Sequence, residues 1–334
     1  MKIIVPMAGV GKRMRPHTLT VPKPLIPIAG KPIVQRLIED IAKMSTEKIE
    51  EIAFVIGDFG KNVENRLSDI AKSIGANSKI YYQNEALGTA HAILCAKPSL
   101  FGKIIIAFAD TLFKTEFKIS GEDDSIILVK KVNNPSAFGV VKTDEDNIVT
   151  DFIEKPLSFI SDLAIIGIYY FKDGENLKRE LQELIDKQYI VNNEFQLTDA
   201  LQNMKTRGLK FKINKVSEWL DCGNKNATVY TNQRILELVK GEKLVSETAR
   251  LINSIIIEPC YIGDNVNIEN SIIGPHVSIE DNTIIKNSLI KNCIIQQNSV
   301  IETLNIENSM IGNFVDIKGD TVEVSIGDYT TMSK

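Results

Sequence analysis

Isoleucine recurs at a regular interval of five or six residues toward the end of the sequence. The positions are Ile262, Ile268, Ile273, Ile279, Ile285, Ile290, Ile295, Ile301, Ile306, Ile311 and Ile317. An α-helix repeats its buried face about every 3.6 residues and a half-buried strand every second residue, so neither gives this interval. A solenoid does, because each short strand directs one aliphatic side chain inward before the chain turns. We therefore predict that this region folds as stacked coils.

The turns between these short strands are predicted at Asn, Gly and Asp, residues that tolerate left-handed backbone conformations. Two examples are the segments Gly263-Asp264-Asn265 and 280–282. The whole pattern resembles the hexapeptide repeat of left-handed parallel β-helices and covers roughly three to four coils.

Additional aliphatic residues flank the inward series and are expected to point outward. They are Ile256, Ile272, Ile284, Leu289, Ile294 and Met310. Polar residues would suffice on faces that met only water, so this surplus indicates a buried face. We expect a homo-oligomer assembled at least partly through residues 252–330; packing of these aliphatics against the chain's own linker helix is the alternative.

The first two-thirds of the chain alternates strand and helix patterns. The expected elements are strands at Lys2–Pro6, Ile52–Ile56, Ile80–Gln83 and Ile104–Phe108, and helices at Ile33–Met44, Val63–Ile74 and Ala90–Ala96. Such alternation predicts a Rossmann-like α/β domain with a mixed, mostly parallel sheet, whose ligands bind beyond the carboxyl ends of the strands. A helix at Asn226–Val239 is expected to bridge the two regions. We place the domains at residues 1–240 and 241–334.

Composition narrows the possible partners and the location. The formal net charge is −4, so the chain lacks the overall positive field that would favour a nucleic-acid partner. The sequence has neither a signal-peptide pattern nor an apolar run of about eighteen residues, and we expect a cytoplasmic protein without a membrane partner. The four cysteines match no zinc or disulfide spacing; they are Cys95, Cys222, Cys260 and Cys293.

The loop after the first strand combines two glycines with several cations. A dinucleotide fingerprint would need a third glycine where Met14 stands. A Walker loop would need glycine where Pro6 stands, and Ser or Thr where Arg13 follows Gly11-Lys12. Both common phosphate-binding motifs are therefore excluded.

What remains is the segment PMAGVGKRMRPHTLTVPKPLIPI, which resembles the signature of sugar-1-phosphate nucleotidylyltransferases. The resemblance implies that Ala8, Gly9 and Gly11 bind the nucleotide through a loop whose backbone N–H groups approach a triphosphate. It also implies catalytic roles for Arg13, as a fork for phosphate oxygens, and for Lys23, as a point charge.

The segment from Tyr82 to Ala92 resembles the part of these enzymes that reads the base. The resemblance implies that Gln83, Gly88 and Thr89 bind the nucleotide. A Gln amide both donates and accepts, which suits the edge of uracil or thymine. His91, by contrast, is expected only to pack or cap a helix.

Two carboxylates are candidate metal ligands. Asp110 follows the buried strand that begins at Ile104, and Asp221 lies in a segment that resembles the family's Trp-x-Asp-x-Gly motif. The resemblance implies that both residues bind Mg²⁺, which accepts oxygen ligands beside phosphates.

The sugar side of the site follows from further resembling segments. The implied sugar-phosphate-binding residues are Gly139, Glu154, Lys155, Gly167 and Tyr169. Glu154 would accept hydrogen bonds from sugar hydroxyls, and Lys155 would hold the sugar phosphate. We interpret Thr198 and Asp199 as a structural helix cap.

The implied reaction joins a nucleoside triphosphate and a sugar 1-phosphate to give a nucleotide sugar and pyrophosphate. The nearest resemblance is to long-form glucose-1-phosphate thymidylyltransferases, with the uridylyl enzymes close behind, so dTTP and UTP both remain open. The sugar phosphate is already an anionic nucleophile, and the difficulty is to bring two anions together. Arg13, Lys23, Lys155 and Mg²⁺ would neutralise that charge.

Three alternatives remain open. One is a bifunctional uridylyltransferase/acetyltransferase on N-acetylglucosamine 1-phosphate, whose β-helix also transfers acetyl groups; that activity generally needs a histidine, and His276 is present. Another is a catalytically silent subunit that senses sugar nucleotides, although the intact Arg13, Lys23, Asp110 and Asp221 argue against it. The third is a structural β-helix scaffold, which leaves the first 240 residues unexplained.

Overall fold

The computed structural model describes residues 1–191, 193–323 and 331. The last part of the expected 241–334 domain, residues 324–330 and 332–334, lies outside the described residues. Contacts divide the chain into two units. The first comprises Met1–Ile26 and Lys31–Ala227, and the second comprises Pro27–Gly30 and Thr228–Lys334.

The first unit is built on a nine-stranded mixed sheet. Its strands are Lys2–Pro6, Glu51–Ile56, Asn77–Tyr82, Ile104–Ala107, Ser125–Lys131, Val140–Thr143, Val149–Ile153, Leu163–Phe171 and Phe211–Lys215. Lys2–Pro6 pairs in parallel with both Glu51–Ile56 and Ile104–Ala107, and Glu51–Ile56 pairs in parallel with Asn77–Tyr82. Leu163–Phe171 joins Ile104–Ala107 in antiparallel orientation. The expected mixed α/β sheet is confirmed.

Helices follow the parallel strands, as the apolar spacing predicts. The α-helices of the chain are Ile33–Met44, Lys61–Ser73, Thr89–Cys95, Gly174–Asp186, Leu197–Thr206 and Lys225–Leu238, and the short 3₁₀ turns are Lys12–Met14, Lys23–Leu25 and Lys97–Ser99. The unit also contains the short strands Lys31–Pro32, Thr111–Lys114 and Glu218–Asp221. No helix within the described ranges 1–191 and 193–323 has the length and apolarity that a membrane crossing needs.

The second unit contains three ladders of short parallel strands, which confirm the left-handed parallel β-helix. The ladder strands in the described residues are Arg250–Ile252, Ile255–Ile256, Tyr261–Ile262, Asn267–Glu269, Ile272–Ile273, Ser278–Ile279, Ile284–Lys286, Leu289–Lys291, Ile294–Ile295, Val300–Glu302, Asn305–Glu307, Met310–Ile311 and Asp316–Lys318. The unit also contains the short strand Pro27–Ile28, which belongs to none of these ladders. Ile262 pairs with Ile279, and both are fully buried, as the isoleucine interval predicts. Asn265 and Asn282 have φ values of 55° and 56°, which confirms the left-handed turns.

The flanking aliphatics do not form one outward face: Met310 is buried next to Ile294 on one ladder, and Ile284 is half-buried on another. Ile256 pairs with the buried Ile273 and so belongs to the inward series, which corrects the expectation. Ile294 is buried on the ladder where the neighbouring Ser278 Oγ donates to Asn232 Oδ1 of the helix Lys225–Leu238. The chain's own helix therefore contacts the ladder to which Ile294 belongs. The residues of this set that stay exposed are Ile272 and Leu289, at 38% and 44%.

Candidate active site

The glycine loop leaves the carboxyl end of the strand Lys2–Pro6. Its first residue is still tied to the sheet, because Met7 N donates to Val55 O at 2.8 Å. The chain then turns through Lys12–Met14, and Thr18 Oγ1 donates to Gly11 O at 2.9 Å. These bonds hold the loop over the carboxyl edge of the parallel strands, where ligands of such sheets bind.

Lys23 and Asp110 form an ion pair at this edge. The Lys23 Nζ to Asp110 Oδ2 distance is 2.6 Å, and the lysine side chain is 13% exposed. Lys23 comes from the short turn Lys23–Leu25, and Asp110 lies just beyond the strand Ile104–Ala107. Two segments that are distant in sequence therefore place a cation and a carboxylate together.

Asp221 is brought to Asp110 by a short antiparallel pair of strands. Asp221 lies opposite Thr111, and Cys222 N donates to Asp110 O at 2.9 Å. Burial, and then the negative charge of Asp110, raise the pKa of Asp221 above its ordinary value. The two carboxylates are thus neighbours that repel each other.

Arg13 lies beside the same carboxylate. A Cβ on Gly223 would lie 3.0 Å from both Asp221 oxygens and 3.2 Å from Arg13 Nη2. A larger residue at this position would push the Asp221 carboxylate and the Arg13 guanidinium by a few tenths of an ångström. The positive charges of Lys23 and Arg13 oppose the upward shift of the Asp221 pKa.

The segment expected to read the base places Gln83 directly after the strand Asn77–Tyr82. Gln83 Nε2 lies 3.2 Å from Gly88 O and 3.1 Å from His91 Nδ1. Thr89 begins the next helix, and its Oγ1 accepts a hydrogen bond from Leu197 N at 3.0 Å. His91, expected only to pack or cap, also contacts the Gln83 amide.

Two adjoining cavities collect nearly all the predicted site residues. The first has a volume of about 270 Å³, and its walls include Ala8, Gly9, Gly11, Lys23, Gln83, Gly88, Thr89 and Asp110. The second has a volume of about 480 Å³, and its walls include Arg13, Thr89, Asp110, Gly139, Glu154, Gly167, Tyr169 and Asp221. Thr89, Phe108 and Asp110 line both cavities.

Lys155 is the one predicted site residue that lines neither cavity. Its side chain is 62% exposed, and its Nζ lies 3.3 Å from Glu154 Oε1. Glu154 itself lines the second cavity. Lys155 therefore lies next to the second cavity, because it contacts a residue of the cavity wall.

Sequence reasoning missed two polar side chains of the second cavity. Trp219 Nε1 and Thr198 Oγ1 are buried and have no hydrogen-bond partner in the part of the chain that the structure describes. Thr198 is not a cap: Gln196 occupies the N-cap position, and Thr198 is the second residue of the helix. Trp219 could have been found, because residues two apart on a strand share a face and Asp221 was already assigned to the site.

Comparison with known proteins identifies the family of this fold. Residues 2–237 match the model of the nucleotidyl transferase family. The chain belongs to this family and is a nucleotidyltransferase.

Individual relatives point to nucleotide-sugar chemistry. The chain is 31% identical over 287 residues to a glucose-1-phosphate thymidylyltransferase of Streptomyces antibioticus, which covers 79% of this chain and 78% of that protein. It is 32% identical over 267 residues to the bifunctional protein GlmU of Methanocaldococcus jannaschii, covering 77% of this chain and 60% of that protein. A solved apo UDP-glucose pyrophosphorylase matches with a TM-score of 0.59 and 25% identity, over 71% of this chain and 98% of that one.

Proposed function

We propose that this enzyme transfers a nucleotidyl group from dTTP or UTP to a sugar 1-phosphate, with glucose 1-phosphate as the first candidate, and releases pyrophosphate. One observation carries the proposal: two cavities of ligand size share the wall residue Asp110, and the cations Lys23 and Arg13 lie at their junction. Two anionic substrates that must react need charge neutralisation where they meet.

The first cavity would hold the nucleotide. In this assignment the loop containing Ala8, Gly9 and Gly11 binds the triphosphate, and Gln83 with Gly88 reads the base. Lys23, which is largely buried and paired with Asp110, would lie against the phosphate that is transferred.

A divalent cation fits the carboxylate pair. Asp110 and Asp221 are neighbours, and within the described residues no group of three or more His, Cys, Asp or Glu side chains converges to hold a metal. Two carboxylates leave positions for water and phosphate oxygens, which suits Mg²⁺. When bound, Mg²⁺ supplies positive charge to the phosphate oxygens. Calorimetric binding of UTP should strengthen with Mg²⁺ in the parent and should lose that dependence in Asp221→Asn.

The second cavity would hold the sugar phosphate. Glu154 would accept hydrogen bonds from sugar hydroxyls, and Gly139, Gly167 and Tyr169 would shape the walls. Lys155, at the edge, would bind the phosphate after leaving Glu154. The sugar phosphate oxygen then attacks the α-phosphorus in line, and the bond to pyrophosphate breaks.

The decisive assay is a matrix of dTTP, UTP, CTP, GTP and ATP against several sugar 1-phosphates, read as pyrophosphate release. We expect dTTP or UTP to be used at least about tenfold better than GTP, about 1.4 kcal/mol. A preference for GTP or ATP would overturn the role of Gln83 and leave the reaction type standing. Absence of release with every pair would overturn the function.

A second candidate is favoured by the similarity to the bifunctional GlmU. The chain spans 60% of the length of that relative. On this reading the β-helix would also transfer an acetyl group, with N-acetylglucosamine 1-phosphate as the sugar product. Thiol release from acetyl-CoA in the presence of glucosamine 1-phosphate tests it directly.

We also propose that residues 1–240 carry the transfer and that 241–334 assemble a homo-oligomer. Ile272 and Leu289 pair on one ladder and remain exposed, which gives the β-helix an apolar stripe. Light scattering should find an oligomer for the parent and a smaller species for the double variant Ile272→Lys, Leu289→Lys. Phe314→Asn, at an exposed left-handed turn position, is the control. A monomeric parent at micromolar concentration contradicts the idea.

A further inference from the structure

The Gln83 amide is held from one side only. Its Nε2 lies within hydrogen-bond distance of two acceptors, Gly88 O at 3.2 Å and His91 Nδ1 at 3.1 Å. A primary amide nitrogen carries two N–H donors, so the protein takes both of them when His91 Nδ1 carries no proton. Among residues 1–191, 193–323 and 331, no hydrogen bond reaches Gln83 Oε1. The amide oxygen is therefore the part left for a ligand in the first cavity.

Both acceptors are fixed in place. Gly88 has a φ of +104°, and a Cβ there would lie 2.5 Å from Phe195 O, so this main chain requires glycine. His91 is in the first turn of the helix Thr89–Cys95, and Cys95 Sγ lies 3.9 Å from its Nδ1 one turn later. The two acceptors thus lie at the N-terminal end of a helix whose position is fixed by these contacts.

The charge state of His91 suits an acceptor. Burial lowers the pKa of His91 below 6.5, and the nearby Glu85 carboxylate acts in the opposite direction. Burial also raises the pKa of Cys95, so this neighbour is a neutral thiol at pH 7. A neutral imidazole with its proton on Nε2 offers Nδ1 as an acceptor, whereas the protonated ring donates from both nitrogens.

We propose that His91 is a positioning residue that fixes the Gln83 amide with Oε1 toward the base, so that the site selects a base with an N–H donor at that point. Uracil and thymine present N3–H, whereas cytosine presents an unprotonated N3. This proposal rests on the proposed function, and it explains how the enzyme would select the base of its nucleotide. When His91 is protonated it can no longer accept from Nε2, so only Gly88 O still holds the amide in this orientation, and the turned amide, with Oε1 on the ring and Nε2 on the base, becomes populated. The preference for uracil or thymine over cytosine then weakens.

The test compares kcat/KM for UTP and CTP with the same sugar 1-phosphate between pH 5.5 and pH 8. The ratio is informative because ionisation of the phosphates affects both nucleotides alike. In the parent we expect a UTP-to-CTP ratio that is high at pH 8, stays high until the pH falls below 6.5, and then decreases toward pH 5.5 as His91 takes up a proton.

Two variants separate positioning from packing. His91→Asn keeps an acceptor oxygen near the place of Nδ1 but cannot ionise, so its ratio should stay high and become independent of pH. His91→Phe keeps bulk without an acceptor, so its ratio should fall by about tenfold at pH 8 and also become flat, a loss of about 1.4 kcal/mol of discrimination.

Outcomes against the proposal are distinct from failure of the proposed function. If His91→Phe keeps the parent ratio within threefold, or if His91→Asn keeps the pH dependence, the positioning role is wrong while nucleotidyl transfer stands. Should the phenylalanine variant fail to fold, the asparagine variant and the parent pH profile still decide. If the parent transfers no nucleotide at all, the proposed function fails and this inference fails with it.

Discussion

In the first cavity the polar groups expected to meet the nucleotide already bond the protein, whereas in the second cavity two polar groups do not. The Gln83 amide contacts Gly88 and His91, and the Lys23 ammonium pairs with Asp110 at 2.6 Å. Trp219 Nε1 and Thr198 Oγ1 are buried without partners in the described ranges.

A buried polar atom without a partner costs stability, commonly about 1–3 kcal/mol. The first cavity is therefore organised before a ligand arrives, and the second is completed by one. Substitutions of these polar groups should therefore behave differently in the two cavities. In the first cavity they should weaken binding and the fold together, whereas in the second the loss of an unpartnered polar group should weaken sugar binding without a loss of stability.

The largest loss of activity is expected for substitutions at the junction of the two cavities. Lys23→Ala and Asp110→Ala should each lower kcat/KM at least about a hundredfold, about 2.7 kcal/mol of transition-state stabilisation. Each removes a charge at the place assigned to the transferring phosphate and leaves its partner unpaired. Steady-state kinetics measures this, and Lys61→Ala, which removes an exposed lysine paired with Glu64, should match the parent. Activity within threefold of the parent in either site variant would reject the assignment.

Lys155 lies outside both cavities, so its substitution tests which of the two substrates it binds. Lys155→Ala should raise KM for the sugar phosphate about tenfold and leave KM for the nucleotide nearly unchanged, since one charge-assisted hydrogen bond is lost. Each substrate is varied in turn at saturation of the other. A defect confined to the nucleotide would move Lys155 to the first cavity.

Thr198→Val tests whether the unpartnered hydroxyl of the second cavity serves the ligand or the fold. The substitution keeps the shape and removes a hydroxyl that has no protein partner in the described residues, so sugar-phosphate KM should rise about fivefold. The unliganded variant should unfold at the same temperature as the parent or higher. A clear loss of stability without ligand would show that the hydroxyl serves the fold.

The smallest effect concerns stability and pH. Burial and Asp110 raise the pKa of Asp221 above 3.8, so its ionised form weakens the folded state. The associated stability is present below pH 3.8 and is lost as the pH rises through the folded pKa. Asp221→Asn should therefore melt at a higher temperature than the parent at pH 7, with the difference shrinking toward pH 4, although it should be inactive. Equal melting curves at pH 7 would contradict this electrostatic account.

The sequence was most informative where contiguous residues carry the geometry. The helix Ile33–Met44 has the predicted bounds, and the isoleucine interval predicted the β-helix, because each pattern repeats the period of its own element. The glycine loop and Gln83 were assigned for the same reason, since a local motif forms much of the first cavity.

The second cavity was harder to predict because it is assembled from distant segments. Its wall joins residues between Arg13 and Asn224, and no local pattern shows that Thr198 faces it. Pair contacts such as Gln83 with His91 depend on how a strand end meets a helix start. The number of aliphatic side chains that stay exposed on the β-helix was overestimated. The sequence alone does not show which ladder lies next to the chain's own helix.

The central claim is that the two cavities form one site for transfer of a nucleotidyl group. The most direct measurement follows the label of α-³²P dTTP or UTP with Mg²⁺, in the presence and absence of glucose 1-phosphate. We expect label to appear in a nucleotide sugar together with an equal amount of pyrophosphate, and only when the sugar phosphate is present. Label released as free nucleotide at the same rate without the sugar phosphate would contradict it.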